Sequence, residues 1–125
     1  MKVLMLACAE TVIRDEDTDR LTLVNLIDAI STPAFPHLVG SFSIVAIYHI
    51  NEGEPTDQLV TVRLENNGNL ISEQNTHVYF GDLIGNRTIT KVNGLVIGEP
   101  GRFSVSIHQE DVELGRWEIP VDIED

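Results

Sequence analysis

Three aspartates at alternate positions, Asp15, Asp17 and Asp19, form the densest group of oxygen donors in the chain. Alternate carboxylates are how calcium-binding loops wrap oxygen ligands around a hard cation, so these three are the candidate metal ligands. Counted from Asp15, an EF-hand loop needs glycine at its sixth position and glutamate at its twelfth, but Arg20 and Leu26 stand there. Two readings remain: a calcium site shared between loops at one end of a β-domain, or a charged tip that stays hydrated.

The other reactive residues are dispersed. His37, His49, His77 and His108 include no pair at i, i+2 or i, i+4, the spacings that put two imidazoles on one side of a metal. A site built from them requires the fold to bring them together. Gly40-Ser41-Phe42-Ser43-Ile44 lacks the second glycine of a nucleophile elbow, and no phosphate-binding loop or dinucleotide fingerprint occurs. Cys8 lies in an apolar stretch two positions before Glu10, surroundings that keep a thiol protonated and inert. Trp117 is of a type enriched at binding hot spots, but its alternation with Ile119 and Val121 places it in the core. No catalytic or cofactor-binding residue is assigned, and no cofactor is implied.

The elements that must position these residues are strands. Short runs of Val, Ile, Leu, Thr and Phe are stopped about every ten residues by turn chemistry, which is the pattern of an all-β domain. The first strand runs from about Leu4 to Arg14, and the tip Asp15 to Asp19 turns it into a second, Leu21 to Ile30. Pro33 and Pro36 hold an extended connection. A third strand, Leu38 to Ile50, is apolar on both faces and reads as central, whereas Leu59 to Glu65 alternates strictly between a dry and a wet face.

Asn67-Gly68 predicts a two-residue type I′ hairpin turn, because both residues tolerate positive φ. A strand from Leu70 towards Phe80 follows, then Thr88 to Val92, a second tight turn at Asn93-Gly94, and Leu95 to Ile97. Glu99-Pro100-Gly101-Arg102 is a type II turn candidate leading to a strand that points Phe103, Val105 and Ile107 inward. In the last strand, Gly115 to Ile123, Trp117, Ile119, Val121 and Ile123 share the inner face, and Pro120 puts the strand at an edge or ends its pairing. Seven to nine antiparallel strands hide two apolar faces most simply as a two-sheet β-sandwich, immunoglobulin-like or C2-like.

A chain of 125 residues with 42% hydrophobic and 22% charged side chains suits a single domain, residues 1–125, with one core. Its formal charge of −12 repels phosphate backbones and anionic lipid surfaces, which argues against nucleic acid or membrane as partner. The acids concentrate late in the chain, where Glu110, Asp111, Glu113, Glu118, Asp122, Glu124 and Asp125 face only Arg116. That end is a solvated face or a docking surface for a basic partner. A lone cysteine forms no internal disulfide, which fits a reducing, cytoplasmic compartment. Lys2 followed by Val3 to Ala9 imitates a signal peptide but is too short for one, and no apolar run reaches the length of a membrane helix. Asn86-Arg87-Thr88 has the form of a glycosylation sequon, which matters only in a secreted protein.

Leu6-Ala7-Cys8-Ala9-Glu10, the strand Leu21-Thr22-Leu23-Val24-Asn25-Leu26-Ile27-Asp28, and the segment from Pro100-Gly101-Arg102-Phe103 to Leu114-Gly115 share a pattern. Together they resemble a bacterial family of small single-domain proteins of unknown function. Asn25 stands where that family is expected to carry glycine. The resemblance implies a cytoplasmic β-sandwich and brings no catalytic or binding residue with it. Three functional readings follow. The first is a non-enzymatic interaction or structural module with a protein partner or self-association along an edge strand. The second is the calcium site at Asp15, Asp17 and Asp19, and the third is an enzyme whose acids and histidines meet only in the fold.

Overall fold

The computed structural model describes residues 1–124, which form eleven β-strands and no helix. In chain order they are β1 (Lys2–Arg14), β2 (Leu21–Leu26), β3 (Ile30–Thr32), β4 (His37–Val39), β5 (Phe42–His49) and β6 (Asp57–Asn66). β7 (Asn69–Tyr79), β8 (Gly85–Val92), β9 (Leu95–Ile97), β10 (Gly101–Gln109) and β11 (Val112–Ile123) complete the set. Four strands pair in the order β2-β1-β5-β8, five in the order β3-β11-β10-β6-β7, and β4 pairs with β9 alone. Asp125, part of the acidic C-terminal cluster, lies outside the described residues.

The strand count exceeds the expected seven to nine because two expected strands are each broken in two. The run Leu21 to Ile30 breaks after β2, where Asn25 has a φ of 56°. Left-handed backbone is cheap for glycine and tolerated by asparagine, so Asn25 can bend β2 one residue before its last pairing, Leu26 with Ala9. The run Leu38 to Ile50 splits at Gly40-Ser41, giving β4 to the small sheet and β5 to the centre of the four-stranded one. One pairing departs from the all-antiparallel expectation: β3 runs parallel to β11, with Ile30 opposite Val121 and Thr32 opposite Ile123.

The turns follow local chemistry where the residues are distinctive. Asn67 and Gly68 have φ of 51° and 82°, and Asn66 pairs with Asn69 across them. Asn93-Gly94 instead carries the chain from one sheet to another, so it makes no hairpin. Pro120 lies on the stretch of β11 that has β10 on one side only, because β3 pairs no earlier than Val121. Pairing with β10 nevertheless continues through Pro120 to Val121. Ile123 departs from the inner-face expectation: it lies beyond the last β10 partner and is exposed.

Alternation along the strands builds the core. β1 contributes Leu6 and Cys8; β5 contributes Phe42, Ile44, Ala46 and Tyr48; β6 contributes Val60, Val62 and Leu64. From β10 and β11 come Phe103, Val105, Ile107, Ile119 and Val121. Each fully buried large side chain contributes roughly 1.5–3 kcal/mol by leaving water. Phe42 and Phe103, from the two larger sheets, meet edge to face with centroids 6.2 Å apart. Trp117 is half-buried against this core, and its indole N–H donates to the Ile27 carbonyl at 2.9 Å.

The four-stranded sheet curls. The Tyr48 hydroxyl and Thr88 Oγ1 lie 3.0 Å apart on the core side, so the neighbouring Arg87 points outward. Arg87 stands level with Ile47, and Ile47 with Met5. A straight strand rising about 3.3 Å per residue would carry Arg14 roughly 30 Å past that level. Yet Arg87 Nη1 donates to the Asp19 carbonyl at 2.7 Å and Nη2 to its carboxylate at 2.9 Å. The β1–β2 hairpin therefore folds back over the outer face of its own sheet. Its cover accounts for Ala7, Ala9 and Val45, which alternate away from the core yet are at most 4% exposed.

Candidate functional site

At the hairpin tip the three candidate metal ligands do not converge. Asp15 Oδ1 accepts the amides of Asp17 at 2.8 Å and Thr18 at 3.2 Å, an Asx turn that spends the carboxylate on its own backbone. Asp19, with a φ of 60°, turns its carboxylate away to Arg14 Nη1 at 2.8 Å and Arg87 Nη2 at 2.9 Å. The hydrogen bond from Arg14 and the charge of Arg87 hold the Asp19 carboxyl below the usual carboxylate range. Asp17 is exposed between them. Among the described residues no group of three or more His, Cys, Asp or Glu side chains is placed to hold a metal ion. The tip works as a clasp: one carboxylate shapes the turn and another fastens the hairpin to β8.

The four histidines are dispersed over four strands, with His37 on β4, His49 on β5, His77 on β7 and His108 on β10. His77 is exposed, with Nδ1 3.1 Å from Asp57 Oδ1. His108 is buried on the wet side of the five-stranded sheet, where its Nε2 lies 2.8 Å from Ser106 Oγ. A serine this close to an imidazole has the spacing of a nucleophile and its base. The polarity is reversed, however, because Arg63 Nη1 approaches His108 Nδ1 at 3.4 Å and a guanidinium only donates. Nδ1 must then accept, which places the proton on Nε2 and makes that nitrogen a donor towards Ser106. Burial first, and then the charge of Arg63, lower the His108 pKa and keep the ring neutral.

Ion pairs complete this face. Arg63 reaches Glu73 at 3.0 Å and Asp111 at 3.5 Å, while Arg116 reaches Glu113 at 2.5 Å and Glu118 at 3.9 Å. The acidic C-terminal cluster is thus partly neutralised by Arg63 and Arg116. The sequence signal for the Ser106–His108 pair was available, since residues two apart on a strand share a face.

Cys8 is fully buried, and burial pushes its thiol up to about 12, so the inert core role expected of it holds.

The sheet edges are guarded unequally. β11 carries Pro120 beside the short β3, β8 carries Arg87 and Lys91, and β2 is short and bent at Asn25. Charges, prolines and short or bent strands are the usual means of preventing edge-to-edge pairing. β7 has eleven residues paired with β6 on one side only, and it contains no Lys, Arg or Pro. Its one carboxylate, Glu73, is paired with Arg63. Leu70 and Tyr79 are exposed near its two ends. Between β7 and β8 a hollow of about 200 Å³, lined by Ser72, Gln74 and Thr90, reaches down to Ile44 and Val62. The two larger sheets are open along this seam.

The model of a family of unknown function, DUF6941, matches residues 4–122. The chain belongs to this family. The DUF6941 match runs from β1 into β11 and so takes in every strand described above. No curated protein matches the chain. In this DUF6941 domain Asp15 and Asp19, two of the three residues singled out for metal chemistry, are engaged in building the hairpin, and the longest unguarded feature is the β7 edge. That edge escaped sequence reasoning because strand order is fixed by pairing between distant segments. No helix among the described residues is long and apolar enough to cross a membrane.

Proposed function

We propose that this DUF6941 domain is a non-enzymatic interaction module whose two larger sheets stack as a sandwich, and that β7 pairs antiparallel with β7 of a second copy. The observation carrying this reading is the eleven-residue β7 edge, free on one side and lacking the charges and proline that guard the other edges. An isologous pair centred on Gln74 sets Glu73 against Asn75, Ser72 against Thr76 and Leu70 against Val78. No like charges stand opposite one another in that register, and apolar residues meet at both ends. The chain's charge of −12 opposes association at long range, but β7 brings a single carboxylate that Arg63 already neutralises. The buried Cys8 thiol suits a reducing, cytoplasmic setting.

Sedimentation velocity over a wide concentration range tests the reading. Gln74→Lys places two ammonium groups face to face at the centre of the pair while altering only an exposed side chain. The expected result is a wild-type dimer, favoured by added salt, and a monomeric variant with unchanged melting temperature. A wild-type protein that stays monomeric throughout, or a variant that dimerises equally well, overturns the proposal.

A further inference from the structure

The curled hairpin roofs a second hollow, on the four-stranded sheet and chemically distinct from the β7 edge. Its volume is about 560 Å³, within the range of roughly 300–1,000 Å³ typical of small-molecule sites. Leu4, Ile47, Leu83 and Ile89 supply apolar walls, and Leu4, Leu83 and Ile89 are all exposed. Exposed large apolar side chains gathered at a concavity mark a place where something apolar binds.

The rim has the opposite character. Arg14 and Arg87 both reach it, with Asp19 between them, so two guanidinium groups face one carboxylate and the local charge is about +1. In a chain with eight Lys and Arg against twenty acids, this is an unusual concentration of positive charge. Arg87 is committed, donating to both the carbonyl and the carboxylate of Asp19. Arg14 makes a single bond, to Asp19, and its side chain is 57% exposed, so most of its five donors face the hollow or solvent.

An apolar wall beneath a rim with one surplus positive charge is complementary to an amphiphile with one negative charge. We infer that the hollow binds a free medium-chain aliphatic carboxylate, its tail against Leu4, Ile47, Leu83 and Ile89 and its carboxylate on Arg14. The Asp19 carboxylate, bonded to Arg14 at 2.8 Å, keeps that guanidinium at the rim. This inference does not rest on the self-association proposed for β7, because the hollow lies on the other sheet.

The probe is octanoate, compared with acetate, 1-octanol and octylammonium, each followed by amide chemical shifts on the full chain. Saturable shifts at Leu4, Gly85 and Ile89 are expected with octanoate alone. Arg14→Gln leaves Arg87 to hold Asp19 and should weaken octanoate about tenfold, the scale of one lost charge-assisted contact. Leu4→Asn, at an exposed position, should weaken it through the tail. The inference fails if octanoate gives no saturable shifts, if octanol or octylammonium binds as tightly, or if either variant binds octanoate like the wild type.

Discussion

Raising the pH past the ordinary thiol range is expected to destabilise this protein more than a variant lacking Cys8. The side chain has no exposure, and burial pushes its thiol from the ordinary 9.0 up to about 12. The folded value is therefore the higher one: the stabilising effect is complete below pH 9.0 and is lost as the pH rises towards the folded value, because only the unfolded chain can release the proton. At 1.36 kcal/mol per unit, the unfolded state gains about 0.4 kcal/mol at pH 9 and about 1.4 kcal/mol at pH 10. Tyr48 adds to the alkaline loss, since burial raises its pKa against the opposing hydrogen bond to Thr88. Cys8→Ala keeps Tyr48, so the difference between the two proteins isolates the thiol. Removing the buried sulfur costs roughly 1 kcal/mol, the scale of one buried methylene, as a constant offset. Urea unfolding at pH 7, 8, 9 and 10 reads both quantities. The stability gap between wild type and variant should close, or reverse, between pH 8 and pH 10. Parallel curves across that range would refute the assignment of Cys8 to a dry core, as would rapid reaction of the folded protein with a thiol reagent at pH 8.

Two further perturbations probe the turns. Gly101 has a φ of 129°, and a Cβ there would stand 2.2 Å from Asn67 Oδ1, the atom that accepts the Arg102 amide. Gly101→Ala should cost roughly 2–4 kcal/mol in chemical denaturation, and a loss no larger than that of Gly98→Ala, where nothing lies within 4 Å, would show that this contact is slack. Asp19→Asn takes the charge from the clasp, so amides of the β1–β2 hairpin should exchange faster than in the wild type wherever the wild-type carboxyl is ionised. In the wild type the carboxyl titrates below its ordinary 3.8, so protection is present above that pH and lost as the pH falls through the depressed value. Equal exchange rates in the two proteins at pH 5 would contradict the clasp.

The strands were legible wherever alternation was strict. Val60, Val62 and Leu64 are buried while Thr61, Arg63 and Glu65 carry the wet face, and Asn67-Gly68 turns the chain as its side chains dictate. Legibility failed where a residue adopts a conformation its type does not advertise. Glu110 and Asp111 form the β10–β11 turn with φ of 51° and 65°, although glutamate carries no turn signal, and Asn25 bends a strand that its apolar neighbours would keep extended. The candidate site was harder still. Three alternate aspartates suggest a cation, but the partners that claim Asp19 include Arg87, sixty-eight residues away, and no local pattern encodes that meeting. The curl of β1, the hollow beneath it and the free edge of β7 all depend on such distant pairings.

The parallel pairing of β3 with β11 constrains the order in which the protein can assemble during synthesis. Translation delivers every strand of the β2-β1-β5-β8 sheet by residue 92, whereas β3 must wait for residues 121–123 before its partner exists. Between those moments Leu6, Ile44 and Tyr48 have no opposing β10 or β11 to cover them, a window in which a nascent chain is most exposed to chaperones and to misassociation. Slowing elongation just before codon 101 should lengthen that window and lower the soluble yield without changing a single residue.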